Sequence, residues 1–204
     1  MRDGMMTKKK RRRGDSLVKK AWDHIAGGEG YDAREVMFTL FKKYPDRADE
    51  ETSLIFAWSF EVEGRSYKAE DWTRNLLEKH PDYMEAWELL AHLLSNMEER
   101  QEDLQEVVNH ILELDSNSIS ARRALASGYY NSDKYDEAIR IYQDIVDRNP
   151  NDPLSWDQLA HTLNWAERYE ESLECWKKKL ELEPDDFRAN RWVDSLKKQL
   201  STST

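Results

Sequence analysis

The chain has 204 residues, 39% apolar and 35% charged, with a formal net charge of -10 and one cysteine. That length supports one or two domains with a buried core, while the lone Cys175 excludes an internal disulfide framework and stands at no CxxC or Cys-His spacing. No apolar run approaches the ~20 residues of a bilayer span, and no apolar stretch follows the first charges as a signal peptide requires, so a reducing, cytoplasmic setting is expected.

Residues 1–14 are expected to form a basic, disordered tail around "KKKRRR" at 8–13. The first 20 residues carry nine Lys or Arg against two Asp, a net +7, whereas the rest holds 22 basic and 39 acidic residues, a net -17. Such a run suits nucleic acid, an anionic membrane or nuclear import. A solubilising tail is the preferred reading, because the acidic body behind it repels phosphates.

From residue 15 the pattern is periodic. "RRALASGYYNSDKYDEAIRIYQDIVDRNP" overlies "WDQLAHTLNWAERYEESLECWKKKLELEP" at an offset of 34, which places Leu125 on Leu159, Ala126 on Ala160, Tyr135 on Tyr169, Tyr142 on Trp176 and Pro150 on Pro184. The same unit is marked further upstream by Pro45, Pro81 and, in a proline-like position, Ser116. Independently, Ala21, Ala57, Ala91, Ala126 and Ala160 recur with spacings of 36, 34, 35 and 34. A small residue recurs where two antiparallel helices cross closely. Phe56, Leu90, Leu125 and Leu159 precede these alanines, and Phe60, Leu94, Tyr129 and Leu163 follow three positions later, which marks one helical face. Second halves repeat the logic, with Ala33, Ala69, Ala138 or Ser172 near the start and Leu40, Leu76, Ile145 or Leu180 closing the apolar row. Each unit is therefore predicted to be two amphipathic helices joined by a turn such as "GGEGYD" or "NSDKYDE".

This pattern resembles the tetratricopeptide repeat, W-x2-L-G-x2-Y, then A-x3-F, then P. The fullest copy reads Trp156, Leu159, Ala160, Leu163, Ser172, Trp176 and Pro184; another reads Leu125, Ala126, Tyr129, Ala138, Tyr142 and Pro150. The resemblance covers residues 15–184, in units of about 15–45, 46–81, 82–116, 117–150 and 151–184. A closing helix at 185–200 follows, with Phe187, Val193, Leu196 and Leu200 as its apolar face, and a disordered 201–204 ends the chain. It departs from the pattern at Arg122, which replaces an aromatic, at Lys20, which replaces a leucine, and in "NMEERQED", which carries an extra residue. The fold class so implied is an all-α, right-handed α-solenoid of about five helix pairs plus the closing helix.

Signatures of catalysis, cofactor binding or a metal centre are missing from the sequence. The "AGGEGY" glycines follow a helix and lack the phosphate-loop lysine, and the five histidines form no HExxH or Cys-His set. No enzyme activity and no cofactor are expected. In the resembled family the first helix of each pair lines a concave groove that holds an extended peptide or partner helix. The residues just after the recurrent alanines, Trp22, Trp58, His92, Ser127 and His161, are expected to point into it. Positions on the same faces add Glu51, Leu54, Glu61, Glu85, Glu88, Arg123 and Asp157.

Indoles beside carboxylates suit a segment that mixes apolar with basic residues. Packing between neighbouring helices is the simpler role for Trp22. A subset of the family grips a chaperone's terminal carboxylate through Lys, Asn, Asn, Lys and Arg. The nearest match here is Arg123, Ser127, Gln158 and Arg188, with Arg191 one position out of place and both asparagines missing. The expected function is an adaptor, assembly factor or co-chaperone-like interaction module. The alternatives are nucleic-acid association through residues 8–13 and carboxylate binding through Arg123, Gln158, Arg188 and Arg191.

Overall fold

The computed structural model describes residues 12–202, and among these there is no β-strand. The expected tail 1–14 lies mostly outside the described residues, as do 203–204. Eleven helices follow in order: α1 Asp15–Ala26, α2 Gly30–Lys43, α3 Glu50–Glu61, α4 Ser66–Lys79, α5 Met84–Ser95, α6 Gln101–Leu114, α7 Ile119–Asn131, α8 Tyr135–Arg148, α9 Pro153–Trp165, α10 Tyr169–Leu182 and α11 Phe187–Thr202. The fold is all-α, with the helix pairing of a tetratricopeptide solenoid. The chain divides into two compact units, Met1–Leu89 and Leu90–Thr204.

Local chemistry sets where the helices start and stop. Asp49 accepts from the Thr52 amide while Thr52 Oγ1 accepts from the Asp49 amide, a capping box that opens α3. Asp152 accepts from the Leu154 and Ser155 amides and opens α9, with Pro153 at the first helical position. At the turn that ends a first helix the backbone flips to positive φ at Gly28, Gly64, Asp133 and Glu167. One residue further on, the amides of Glu29, Arg65, Lys134 and Arg168 donate back to the carbonyls of His24, Phe60, Tyr129 and Leu163 at 2.8–2.9 Å. This closure satisfies carbonyls that the helix end would otherwise leave exposed. The third unit differs: the extra residue in "NMEERQED" is taken up by a 3-10 turn, Glu98–Arg100, before α6 begins.

In the first unit α1 packs on α2, α2 on α3 and α3 on α4. Its core gathers Val18, Ala21, Ile25, Met37, Leu40, Ile55 and Phe56. Gly30 opens α2 against α3, where an added Cβ would stand 2.1 Å from the Ser59 carbonyl oxygen; the backbones meet because no side chain intervenes. In the second unit α7 packs on α8, α8 on α9, α9 on α10 and α10 on α11 around Tyr142, Ile145, Leu159, Leu163 and Trp176. All five recurrent alanines are at most 1% exposed, as are Ala33, Ala69, Ala138 and Ser172 in the second helices. A larger side chain at these crossings would force the backbones apart.

Three expectations are corrected. Phe187, expected to face the core from the closing helix, is 71% exposed; Ala189, Val193 and Leu196 are buried and Trp192 packs beside them. Leu180 is only half-buried, and its neighbour Lys179 is buried instead, held by Asp186 at 2.9 Å, Glu183 at 3.0 Å and Asp157 at 3.5 Å. Ser201 and Thr202 complete α11 rather than lying beyond it. The Arg122 departure has a physical reason. Trp87 and Trp156 each donate an indole N–H to the carbonyl of the residue six positions earlier, Pro81 and Pro150, at 2.8 Å. Arg122 does the same with its guanidinium, donating to Ser116 O at 2.7 Å.

Candidate functional site

The exposed edge of the first helices is where the alternation of small and large residues comes to the surface. Each recurrent alanine is buried, whereas the residue after it is not: Trp22, Trp58, Ser127 and His161 are half-buried and His92 is exposed. In the first unit this edge borders a cleft of about 640 Å³. Trp22 comes from α1; Glu50, Glu51, Leu54 and Trp58 from α3; His80, Asp82 and Tyr83 from the loop between α4 and α5; and Glu85, Glu88 and Leu89 from the start of α5. Leu54 is 4% exposed, and both indoles rest on the core. The floor is thus apolar and the rim carries carboxylates.

Arg12 also lines the cleft, donating to Asp49 Oδ2 at 3.2 Å and Glu51 Oε2 at 3.4 Å. Glu50 meets His80 Nδ1 at 3.1 Å. The field of the rim shows in Tyr83, whose phenol is pushed up to about 12 by burial and then by Glu85, Glu51, Glu50 and Asp49. Beneath the rim lies Arg47, 4% exposed, in the loop before α3. It donates to the Arg13 carbonyl at 2.7 Å, Asp15 Oδ1 at 2.8 Å and Asp49 Oδ2 at 3.1 Å. Sequence reasoning missed Arg47, since "YPDRADE" reads as an ordinary polar loop. The one available signal was an arginine between two aspartates at a repeat boundary.

Of the residues expected to line a groove, Glu51, Leu54, Trp58, Glu85 and Glu88 come together in this cleft. Glu61 stands apart at the end of α3, accepting from Ser66 Oγ at 2.8 Å. His92 belongs to the second unit. There Arg123 donates to Asp152 Oδ2 at 2.8 Å and Ser155 Oγ at 3.1 Å, bracing the start of α9. Asp157 is 8% exposed, between Arg188 at 3.4 Å, Lys179 at 3.5 Å and His161 at 3.8 Å.

A second cleft of about 430 Å³ is lined by His161, Arg188, Arg191, Trp192 and Ser195. Within it Arg191 stacks over Phe187 at 5.8 Å. Of the four groups in the expected anion grip, Arg188 and Arg191 line this cleft, while Arg123 is turned to Asp152 and Gln158 Oε1 is buried without a hydrogen-bond partner. His161 sits edge-on to Trp176 at 4.8 Å and to Trp192 at 5.2 Å, and those indoles stack on each other at 5.9 Å. Burial lowers the His161 pKa from its ordinary 6.5; Asp157 opposes that and Arg188 and Lys179 add to it. Burial likewise pushes the Cys175 thiol up to about 12, with Glu171 and Glu174 adding to the effect, so it stays protonated and is not a nucleophile at neutral pH. His24, Glu29 and Asp32 bring ligand atoms within 4.8 Å of one another, but both carboxylates are exposed and the imidazole already meets Glu29 at 2.5 Å.

Comparison with known proteins agrees with the helix pairing of the fold. Residues 119–162 match the tetratricopeptide repeat family model. The fold matches a thermophilic tetratricopeptide protein of Thermus thermophilus with TM-score 0.74 and 17% identity, over 90% of this chain and 98% of that one. It also matches MamA of Desulfovibrio magneticus, with TM-score 0.63 and 14% identity over 85% and 97%, and a tetratricopeptide repeat protein of Parabacteroides merdae, with TM-score 0.60 and 15% identity over 91% and 92%. A stretch of 61 residues, 30% of the chain, is 34% identical to the peroxisomal targeting signal receptor of Candida glabrata and 33% identical to that of Saccharomyces cerevisiae. It spans only 10% of the length of either receptor. Residues 119–162 thus carry a tetratricopeptide-repeat match, and the fold is that of tetratricopeptide-repeat proteins.

Proposed function

We propose that this protein is an adaptor-type module whose first-unit cleft holds an extended segment mixing basic with apolar residues, and that it works in the cytoplasm without chemistry of its own. The observation that carries the reading is the Arg12 guanidinium held by Asp49 and Glu51 in a cleft walled by Trp22 and Trp58. A cation is thereby accommodated where carboxylates and indoles converge. No described helix is long and apolar enough to cross a membrane.

Magnitudes rank the contacts. A desolvated cation over an indole contributes ~2 kcal/mol, whereas an exposed carboxylate pair contributes ~1 kcal/mol or less. On a peptide array, bound sequences are expected to be enriched in Lys or Arg beside Leu or aromatic residues. Trp58→Ala should weaken binding more than Glu88→Gln. Selection of acidic or carboxylate-terminal peptides, with sensitivity to Arg188→Ala and Arg191→Ala instead, would overturn the reading and favour the cleft of the second unit.

A further inference from the structure

The basic run "KKKRRR" ends at Arg12 and Arg13, and these two residues are held beside the cleft. Buried Arg47 holds the Arg13 carbonyl and the Asp15 carboxylate, and the Arg12 amide donates to Asp15 Oδ2 at 2.6 Å. Residues 12–15 are thus fastened to the loop before α3, and the fastening aims the Arg12 side chain at Asp49 and Glu51. Burial makes Arg47 a strong fastener: losing either carboxylate would leave a charge away from water with its partners incomplete. Arg12 itself is half exposed, with 49% of its side chain in solvent. The charge that the rim presents ahead of it is predominantly negative, from Glu50, Asp82, Glu85 and Glu88 against His80.

We infer that the first occupant of this cleft is the chain's own basic run, residues 8–13, which competes from within with any basic partner segment. The inference rests on the proposed function, because it names a ligand for the same cleft. Reach permits it. The four residues before Arg12 extend to about 14 Å, and Arg12 lines the same cleft as Glu85 and Glu88, so a segment of that length suffices to meet the carboxylates of the α5 side. Tethering makes the competition effective, since a short linker presents its cargo at an effective concentration on the order of millimolar. A partner of equal chemistry at micromolar concentration is then at a disadvantage unless its apolar residues add contacts on Trp58 and Leu54. Specificity for mixed basic and apolar segments, over merely basic ones, follows from that difference.

The test titrates a fluorescein-labelled LKKKRRRL peptide, followed by anisotropy, into the full chain and into the full chain carrying Lys8→Ser, Lys9→Ser, Lys10→Ser and Arg11→Ser. These changes leave Arg12, Arg13 and the Arg47 fastening in place, and matching thermal melts confirm that the fold is unaffected. The quadruple variant is expected to bind the peptide at least about tenfold more tightly than the parent at low salt, as removal of a millimolar tethered competitor requires. The advantage should shrink as sodium chloride screens the competing ion pairs. Equal affinities, with Trp58→Ala still abolishing binding, would overturn the internal-occupant inference and leave the cleft's assignment standing. Binding to neither chain would overturn both. A difference that grows with protein concentration would place the run in the cleft of a second copy and overturn occupation from within.

Discussion

The turns that end the first helices show how far single residues are constrained. Gly64 holds φ +70° with nothing within 4 Å of an added Cβ, so Gly64→Ala isolates the cost of the left-handed backbone from any clash. That cost is about 1–2 kcal/mol, partly offset because alanine restricts the unfolded chain. A fall of about 2–4 °C in the melting temperature is expected for each kcal/mol lost. Glu167, a charged residue at φ 59°, should respond in the opposite sense, with Glu167→Gly stabilising. The guanidinium that stands in for an indole gives a second residue-scale expectation. Arg122 donates to Ser116 O and to Ser118 O, and Arg122→Leu removes both bonds at a cost of about 1–2 kcal/mol. Arg122→Trp should recover most of that loss by restoring the donor that Trp87 and Trp156 supply, which urea midpoints of the three proteins would decide. Sequence alone marked Arg122 as a lapse in the repeat. Aromatic character was the visible property of that position, whereas an N–H aimed at the carbonyl six residues earlier is the property the fold uses.

At the scale of helices, the periodic signals were legible and the ends of the array were not. Buried alanines could be read in register because a helix crossing permits one size of side chain, and that constraint repeats in every unit. Phe187 misled because it begins its helix, where the ring stays 71% exposed beneath the Arg191 guanidinium instead of entering the core. Lys179 escaped notice because a buried ammonium is identified by Asp157, Glu183 and Asp186, carboxylates that only the α9–α10–α11 packing gathers. The same packing gives a pH dependence. His161 on α9 faces Trp176 on α10 and Trp192 on α11, with Asp157, Lys179 and Arg188 as the surrounding charges. Its pKa is lowered in the fold, so the unfolded chain takes up the proton first. The histidine's contribution to stability is therefore complete above about 6.5 and is lost as pH falls from there through the lowered native value. Chemical denaturation at pH 7.5 and 5.0 should show a smaller loss for His161→Gln than for the parent, and equal losses would place the acid sensitivity elsewhere.

Across the whole molecule, the division of charge between the first 20 residues and the remainder was plain from composition. Its consequence was not. The basic run was read as a solubilising tail, yet Arg12 and Arg13 at its end are held by the body through Asp49, Glu51 and Arg47. The first-unit cleft gathers Glu51, Leu54, Trp58, Glu85 and Glu88, whose grouping the repeat register suggested, together with Glu50 and Leu89, which it did not. It was not anticipated at Arg12, His80 or Tyr83, which lie between or outside the periodic segments. The aromatic nest of α9, α10 and α11 carries one further consequence, an optical one. A protonated imidazole quenches indole emission, and His161 stands edge-on to two of the eight tryptophans. Protonation of His161 is therefore expected to dim the native protein's own ultraviolet fluorescence on acidification, an emission change that His161→Gln should reduce.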